Sequence, residues 1–355
     1  MSRVHMSDFL IGGMPIGLKH APLMVAEMSG NHNQSLERAL AIVDAAAASG
    51  AGALKLQTYT ADTITLDVES EGFVVDDAGS PWIGRSLHEL YAEAHTPWEW
   101  HAPIVARCRE KGLLCFSAPF DETAVDFLET FDMPCYKIAS FENGHLPLIR
   151  AAAATGRPLV ISTGTATVAE VDEAVATARG AGCSDILLLH CVSSYPAPPE
   201  DMHLKAIPYL RRRYRCEVGL SDHSLDPAVA VAAVALGAVM VEKHFTLRRD
   251  DGGVDSTFSL EPAEFSALAQ GVKTAWLALG RAGGGFARPD AKARRFRRSL
   301  FVAEDMKAGA EFTPDNLRIV RPGLGLEPRH YESLLGKRVC RDVPRGTPAT
   351  WDLLG

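Results

Sequence analysis

The fold is decided by two short stretches, Glu217-Val218-Gly219-Leu220-Ser221-Asp222-His223-Ser224 and Val241-Glu242-Lys243-His244-Phe245. Each is an apolar run, rich in β-branched residues, that stops at a polar cluster containing one histidine. The segment between them begins at Asp226-Pro227 and ends at Gly237, which is typical of a helix. The unit therefore predicts strand–helix–strand, with both histidines at the C-terminal ends of adjacent parallel strands.

Strand-like and helical patterns alternate in the same way along the rest of the chain. The predicted strands are 23–28, 53–58, 113–117, 135–140, 159–164, 186–191, 217–224 and 241–245. The predicted helices are 36–49, 97–111, 122–131, 146–155, 168–182, 204–214, 227–237 and 262–279. Eight such units with nearly continuous apolar strands predict an α/β fold, a (β/α)₈ TIM barrel. A doubly wound open sheet is the alternative, but the chain lacks a Gly-rich dinucleotide loop.

Three other segments depart from this alternation. The N-terminal segment predicts a short hairpin. Residues 61–95 are too long for an ordinary loop and contain Trp82, which indicates a lid-like insertion over a site. After a barrel domain at 1–285, residues 286–298 predict a linker, and 299–355 predict a small, mainly β domain with many Pro/Gly turns. A module of this size buries little core by itself. We therefore expect it to pack against its own barrel or against a neighbouring subunit.

Composition narrows the class of protein. The formal net charge of −8 argues against general affinity for nucleic acid, since no positive field covers a whole domain. The seven cysteines include no C-x-x-C pair, and most lie in apolar runs, which is typical of buried thiols in a reducing compartment. No signal peptide and no run long enough to span a membrane are visible. We therefore expect a cytoplasmic protein with no membrane or nucleic-acid partner.

The active site of a TIM barrel lies at the C-terminal ends of its strands. The polar residues at those positions are Glu27, Lys55, Ser117, Lys137, Ser140, Thr163, Ser193, Tyr195, Ser221, Asp222, His223, Glu242 and His244. Lys55 and Lys137 stand in apolar strands, where an unpaired ammonium is strongly penalised. They indicate either carboxylate partners or a bound anion, such as a phosphate or carboxylate also held by serine hydroxyls.

The two histidines and two glutamates add a second chemistry to this rim. His223 and His244 are either core histidines or, because they stand at matching strand ends, ligands of a divalent ion such as Mn²⁺ with open positions. Glu27 and Glu242 are candidate general bases. Lys243 is expected to point away from the cavity, because side chains alternate along a strand.

In these residues and the stretches around them, the chain resembles the sialic acid synthase family, which condenses phosphoenolpyruvate with amino sugars to make nonulosonic acids. The matching stretches are Ala26-Glu27 with Asn31-His32, Lys55-Leu56-Gln57-Thr58, Tyr136-Lys137-Ile138-Ala139-Ser140, His190-Cys191 with Tyr195-Pro196, Gly219–Ser224, Glu242–Phe245 and Arg321-Pro322-Gly323. Further stretches are similar to the branch that makes pseudaminic acid: Gln57–Thr60, Glu89-Leu90-Tyr91, Thr96–His101, Ile138–Glu142 and Glu200-Asp201-Met202.

The resemblance implies roles for individual residues. It implies that His223 and His244 hold Mn²⁺, with Mg²⁺ or Co²⁺ as alternatives, and that Glu27, Glu242 and Asp222 are catalytic. The implied phosphoenolpyruvate site consists of Lys55, Lys137, Ser140, Ser193 and Ser221. Tyr195, Glu242 and Asp255 would face the sugar. The sequence departs from the family pattern twice: Ser193 replaces an Asn of the sialic acid synthases, and Ala118 replaces a hydroxyl residue common in the family.

The resemblance also implies an assembly and a reaction. Residues 299–355 would be an antifreeze-like (SAF) module, of the β-clip type, that closes over the other subunit's barrel in a domain-swapped homodimer, with Arg321 reaching an N-acetyl group. The expected reaction is a C–C bond-forming transfer of the EC 2.5.1 type, joining phosphoenolpyruvate to a diacetamido-trideoxy hexose. The alternatives are N-acetylneuraminate or legionaminate synthesis and, in another class, a non-catalytic sugar-binding protein.

Overall fold

The computed structural model describes residues 8–76, 80, 82–280 and 291–354. The chain divides into two compact units, Met1–Gly280 and Arg281–Gly355. The strands are β1 (Phe9–Ile11), β2 (Met14–Ile16), β3 (Leu23–Glu27), β4 (Ala53–Thr58), β5 (Leu114–Pro119), β6 (Tyr136–Ile138), β7 (Leu159–Ser162), β8 (Ile186–Cys191), β9 (Glu217–Asp222), β10 (Met240–His244), β11 (Ser299–Val302) and β12 (Leu317–Val320). The helices are α1 (Leu36–Ala48), α2 (Ala61–Ile64), α3 (Leu87–Ala94), α4 (His101–Glu110), α5 (Glu122–Glu129), α6 (Leu146–Ala154), α7 (Val168–Gly180), α8 (Ala206–Tyr214), α9 (Pro227–Ala235), α10 (Pro262–Leu279), α11 (Ala291–Arg294) and α12 (Tyr331–Leu334).

Strands β3 to β10 close into a parallel barrel, with β10 paired to both β9 and β3. The prediction of a TIM barrel is therefore confirmed. The strands can be almost wholly apolar because the outer helices cover one face and the barrel interior covers the other. The predicted fourth barrel strand is shorter than expected, since the chain turns into a 3₁₀ helix at Ser140–Glu142 directly after β6.

The helices begin at caps that the sequence supplies. Ser35 accepts a hydrogen bond from the backbone N–H of Arg38, and Asp121 accepts bonds from the first turn of α5. Thr167 and Glu170 form a reciprocal capping box at α7. Such caps satisfy backbone donors that would otherwise lack partners, which fixes where each helix begins.

One end of the barrel is filled by apolar side chains. The predicted N-terminal hairpin is present as the antiparallel pair β1–β2. Its residues Ile11 and Ile16 pack with Val25, Phe116 and Leu187 from the barrel strands. A second, larger core lies between the strands and the outer helices. Because the hairpin end is packed, only the C-terminal ends of the strands can open into a cavity.

The insertion at 61–95 contains α2, α3 and a hairpin between them. The backbone N–H of Val75 donates to the Arg85 carbonyl at 2.9 Å, and that of Leu87 donates to the Phe73 carbonyl at 2.9 Å. Residues 77–79 and 81 lie outside the described part of the chain. Trp82 Nε1 donates to the Val254 carbonyl at 2.8 Å, which ties the insertion to the loop after β10.

The second unit has a small core of its own. Strands β11 and β12 pair in antiparallel fashion, and isolated bridges such as Met306↔Val343 connect the remaining extended segments. Leu300, Phe312 and Leu317 are among the buried residues. The prediction of a mainly β module is confirmed. Of the predicted linker, residues 286–290 lie outside the described residues, and α11 occupies 291–294.

None of the helices in the described ranges has both the length and the apolar character that a membrane crossing requires.

Candidate active site

A cavity of about 600 Å³ opens at the C-terminal ends of the barrel strands. Its floor is polar and its outer wall, contributed by the insertion, is mainly apolar. The predicted site residues that line it are Glu27, Lys55, Lys137, Ser140, Tyr195, Ser221, His223, Glu242, His244 and Asp255. The barrel therefore brings together residues from five of its strands and from the loops that follow them.

A buried cluster of two lysines and two glutamates forms the floor. Lys55 Nζ lies 3.1 Å from Glu27 Oε2 and 3.1 Å from Glu242 Oε1. Lys137 Nζ approaches Glu242 Oε1 only to 3.7 Å. The second oxygen of Glu242 is buried without a hydrogen-bond partner. The lysines thus have carboxylate partners, as one interpretation of the sequence expects. The bound anion of the other interpretation stays a prediction.

The cluster shifts the proton affinities of the two glutamates in opposite directions. Burial raises the pKa of Glu242, but Lys137 and Lys55 outweigh it and bring that pKa to about 2. Burial raises the pKa of Glu27, and Lys55 offsets this effect only in part. Burial also lowers the pKa of Lys137, against the opposing effect of Glu242. One floor therefore carries a firmly ionised carboxylate beside a carboxyl that binds protons more readily.

His223 and His244 stand together at the edge of this floor, with ring centroids 5.4 Å apart. His223 Nδ1 lies 2.8 Å from the Val192 carbonyl oxygen, to which it donates a hydrogen bond. Nε2 is then the ring nitrogen whose lone pair could bind a metal ion. His244 Nδ1 is buried without a hydrogen-bond partner. Burial, followed by the nearby His223, lowers the pKa of His244 well below its ordinary value, which favours the neutral imidazole.

An unpaired buried imidazole nitrogen beside a second oriented histidine fits a divalent ion. Among the residues that the structure describes, no group of three or more His, Cys, Asp and Glu side chains is arranged to hold a metal ion by itself. The pair therefore fits an open site whose other ligands are water and substrate oxygens, rather than a closed structural site.

Aromatic and acidic groups border the histidines. The ring centroids of Tyr195 and His223 are 4.3 Å apart, and those of Phe258 and His244 are 5.0 Å apart. Asp255, whose pKa is raised by burial, accepts a hydrogen bond from the Ser29 hydroxyl. Such groups can pack against a carbon chain and bind its hydroxyl or amide groups.

The predicted serines occupy different depths. Ser221 Oγ donates to Glu242 Oε1 at 3.1 Å. Ser140 Oγ accepts from the Gly164 N–H at 3.2 Å. Ser193 is half-buried near Cys191 but is not among the residues that line the cavity. A Cβ at Gly164 would lie 2.4 Å from Ser193 Oγ and 2.7 Å from Ser140 Oγ, so a side chain there would force both hydroxyls to move.

The structure corrects the expected position of Asp222. Its carboxylate accepts hydrogen bonds from the Ser224 backbone N–H at 2.9 Å and from Lys243 Nζ at 2.9 Å, and it does not line the cavity. The reason is strand alternation: Ser221 and His223 face the cavity, so Asp222 faces away and meets Lys243, which also faces outward as predicted. Asp222 therefore pairs with Lys243 instead of lining the cavity.

Several cavity residues were not singled out from the sequence. Among them are Ser29, Gln57, Tyr59, Glu142 and Cys191. Gln57 Nε2 donates to Glu27 Oε1 at 2.8 Å and to Ser29 Oγ at 3.0 Å, which orients the carboxyl. Gln57 could have been found, because it lies two positions beyond Lys55 and therefore on the same face of β4.

Arg321 belongs to the second unit. It follows β12 directly and is exposed.

Comparison with known proteins gives matches along most of the chain. Residues 42–283 match the NeuB family, and residues 297–355 match the SAF domain. A pseudaminic acid synthase from Campylobacter jejuni is 42% identical over 91% of this chain and 94% of its own length. A pseudaminic acid synthase from Helicobacter pylori is 39% identical over 93% of this chain and 97% of its own length. The crystal structure of the Bacillus subtilis spore coat polysaccharide biosynthesis protein SpsE is 33% identical, with a TM-score of 0.67 over 98% of this chain and 99% of that one.

Proposed function

The chain belongs to the NeuB family and ends in a SAF domain, and we propose that it is a transferase that makes pseudaminate. The substrates are phosphoenolpyruvate, 2,4-diacetamido-2,4,6-trideoxy-L-altrose and water, and the products are pseudaminate and phosphate. Support for the sugar comes from the two pseudaminic acid synthases that are 39% and 42% identical over nearly the whole chain.

The observation that carries the proposal is the floor of the cavity. Lys55 lies 3.1 Å from each of two carboxylates, and Lys137 lies beside them with the histidine pair at the same rim. Buried ammonium groups can bind the phosphate and carboxylate of phosphoenolpyruvate. Ser140 is a further proposed donor, as is Ser221 once its hydroxyl turns from Glu242 to the ligand. The same cavity therefore holds cationic groups for an anion and carboxyl groups for proton transfer.

The reaction begins when C3 of phosphoenolpyruvate attacks the aldehyde carbon C1 of the open-chain sugar. This step forms the new C–C bond, and the aldehyde oxygen becomes a hydroxyl by taking up a proton. Water adds to the electron-poor C2 after losing a proton to Glu27 or Glu242. The resulting tetrahedral centre breaks its C–O bond to phosphate, releases a proton from its hydroxyl and becomes the ketone. Lys55 and Lys137 stabilise the negative charge of the phosphate and carboxylate throughout.

His223 and His244 would hold a divalent ion, for which we propose Mn²⁺, and such an ion supplies Lewis-acid polarisation of an aldehyde oxygen. Tyr195 and Asp255 are the proposed contacts to the sugar, because they line the cavity next to the histidines. Ser193 is a further proposed contact to phosphoenolpyruvate, because it lies beside Cys191 and Ser140.

We further propose a homodimer in which the SAF domain of one subunit covers the cavity of the other. Exposed Arg321 would then reach an N-acetyl group of the sugar. We propose that the protein acts in the cytoplasm, a placement supported by its seven free cysteines, six of them buried.

The test is to incubate the purified protein with phosphoenolpyruvate, Mn²⁺ and 2,4-diacetamido-2,4,6-trideoxy-L-altrose. We expect equimolar phosphate and pseudaminate. Parallel reactions with N-acetylmannosamine and with the mannose-derived diacetamido sugar test the N-acetylneuraminate and legionaminate alternatives. Turnover of one of these two sugars alone would replace the proposed substrate. Sugar binding without phosphate release from any of the three would support the non-catalytic alternative.

A further inference from the structure

The cavity has two chemically unlike sides. The floor at the strand ends consists of charged and hydrogen-bonding groups. Another part of the lining, here called the insertion wall, is built from apolar residues of the 61–95 insertion: Ile64, Val75, Trp82, Leu87, Leu90 and Ala94. These residues come from α2, α3 and the hairpin between them, so one continuous piece of chain supplies the whole wall.

The insertion wall offers few hydrogen-bonding groups to a ligand. The only polar side chain among its six members is Trp82, whose Nε1 already donates to the Val254 carbonyl. Elsewhere in the described part of the insertion, the polar side chains that line the cavity are Ser80 and Tyr91. Tyr91 packs edge-on against Tyr59, with ring centroids 5.8 Å apart.

We propose that the insertion wall selects sugars that carry a methyl group, rather than a hydroxymethyl group, at C6. This inference rests on the proposed function. The aldehyde C1 must lie at the polar floor, where the lysines, glutamates and histidines are. Because C1 and C6 are the two ends of an open-chain hexose, a sugar with C1 at the floor can place C6 against the insertion wall.

The wall acts on C6 through desolvation. A methyl group there loses contact with water and gains apolar contacts, both of which are favourable. A hydroxyl group at the same place loses its hydrogen bonds to water and finds no partner among the six wall residues. Apolar pockets reject a substrate with one additional hydroxyl by roughly 100-fold at most. The expected preference in kcat/KM is therefore about 10- to 100-fold.

Val75 and Val74 provide a matched pair of positions for a test. Val75 lines the cavity and is held in place by backbone hydrogen bonds to Arg85 and Gly84. Val74 is its neighbour on the same hairpin, is 39% exposed and does not line the cavity. Substituting Thr for Val keeps the shape and the strand preference but adds a hydroxyl. The two substitutions therefore differ only in whether that hydroxyl faces the cavity.

The experiment measures kcat/KM with two sugars that differ only at C6: 2,4-diacetamido-2,4,6-trideoxy-L-altrose and 2,4-diacetamido-2,4-dideoxy-L-altrose. We expect the unmodified protein to prefer the 6-deoxy sugar. Val75→Thr should reduce this preference about two- to tenfold, since its hydroxyl gives the substrate hydroxyl a partner. Val74→Thr should leave the preference unchanged, and Ile64→Thr serves as a second wall variant.

Two results would overturn the inference while leaving the proposed function intact. They are equal kcat/KM for the two sugars in the unmodified protein, and a preference that neither Val75→Thr nor Ile64→Thr reduces. Absence of turnover with both sugars would overturn the proposed function together with the inference.

Discussion

Asp222→Asn removes the negative charge that neutralises Lys243 on the outer side of the barrel strands. The Lys243 side chain is 1% exposed and its Nζ lies 2.9 Å from Asp222 Oδ2. A second bond joins Lys243 Nζ to the Ser224 carbonyl. Asparagine keeps the size of the side chain and can still accept from the Ser224 backbone N–H. The substitution therefore isolates the loss of one buried carboxylate.

The expected cost follows from leaving an ammonium group buried without its counterion. Removing one partner of a buried ion pair destabilises a protein by about 3–5 kcal/mol. Replacing both partners by neutral groups is far less costly, because no uncompensated charge remains. The double variant Asp222→Asn/Lys243→Met should thus be more stable than Asp222→Asn alone, by about 1–3 kcal/mol.

The assay combines urea unfolding, followed by circular dichroism, with kcat measured at a temperature where each variant is folded. Asp222→Asn should lower the urea midpoint, the double variant should recover part of it, and kcat should stay within about tenfold of the unmodified protein. Loss of a general acid or base typically costs 10²- to 10⁴-fold. A fall in kcat of more than about 100-fold with an unchanged urea midpoint would refute the assignment of Asp222 to the outer side of the barrel.

Three further predictions follow from the cavity. Lys137→Met should raise the KM for phosphoenolpyruvate about 10- to 100-fold in steady-state kinetics, because one charge-assisted hydrogen bond to the substrate is lost. Lys55 still neutralises Glu242 in this variant. An unchanged KM would contradict the proposed role of Lys137. Burial raises the pKa of Glu142 from 4.5 to about 7. Between these two pH values the native protein therefore keeps a proton that the unfolded chain releases. The free energy of unfolding should fall by less than about 3 kcal/mol as pH rises from 4.5 to 7. Glu142→Gln should reduce the corresponding drop in Tm between pH 5 and pH 8, and an identical drop in both proteins would exclude this titration. His223→Ala and His244→Ala should each lower the Mn²⁺ bound per chain in equilibrium dialysis, whereas His20→Ala, outside the cavity, should not; full Mn²⁺ binding by either cavity variant would exclude that histidine as a ligand.

Much of the fold could be predicted because its signals are local. Each apolar run of β3 to β10, and each cap of the helices between them, is encoded by a few consecutive residues. The regular alternation of these signals predicts a closed barrel. The same pattern places Glu27, Lys55 and Lys137 near strand ends. Their chemistry could therefore be assembled on one rim before any contact was known.

Side-chain direction could also be predicted, provided that alternation is applied to every strand. It places Lys243 outside the cavity, and the same rule applied to β9 would have placed Asp222 outside with it. Gln57 was missed for the corresponding reason, since it shares a face with Lys55. These residues needed only the period-two geometry of a strand, which the sequence contains.

Contacts between distant segments were decided by the tertiary structure alone. Closure of β10 against β3 brings Glu242 to Lys55, and the path of the insertion brings Trp82 to Val254. No local pattern encodes either contact, because each depends on how the whole barrel closes and on where a long, irregular segment packs. The sequence by itself therefore determined the barrel and the chemistry of its rim. Only the tertiary structure decided which carboxylates neutralise which lysines, and that apolar residues of the insertion line the same cavity.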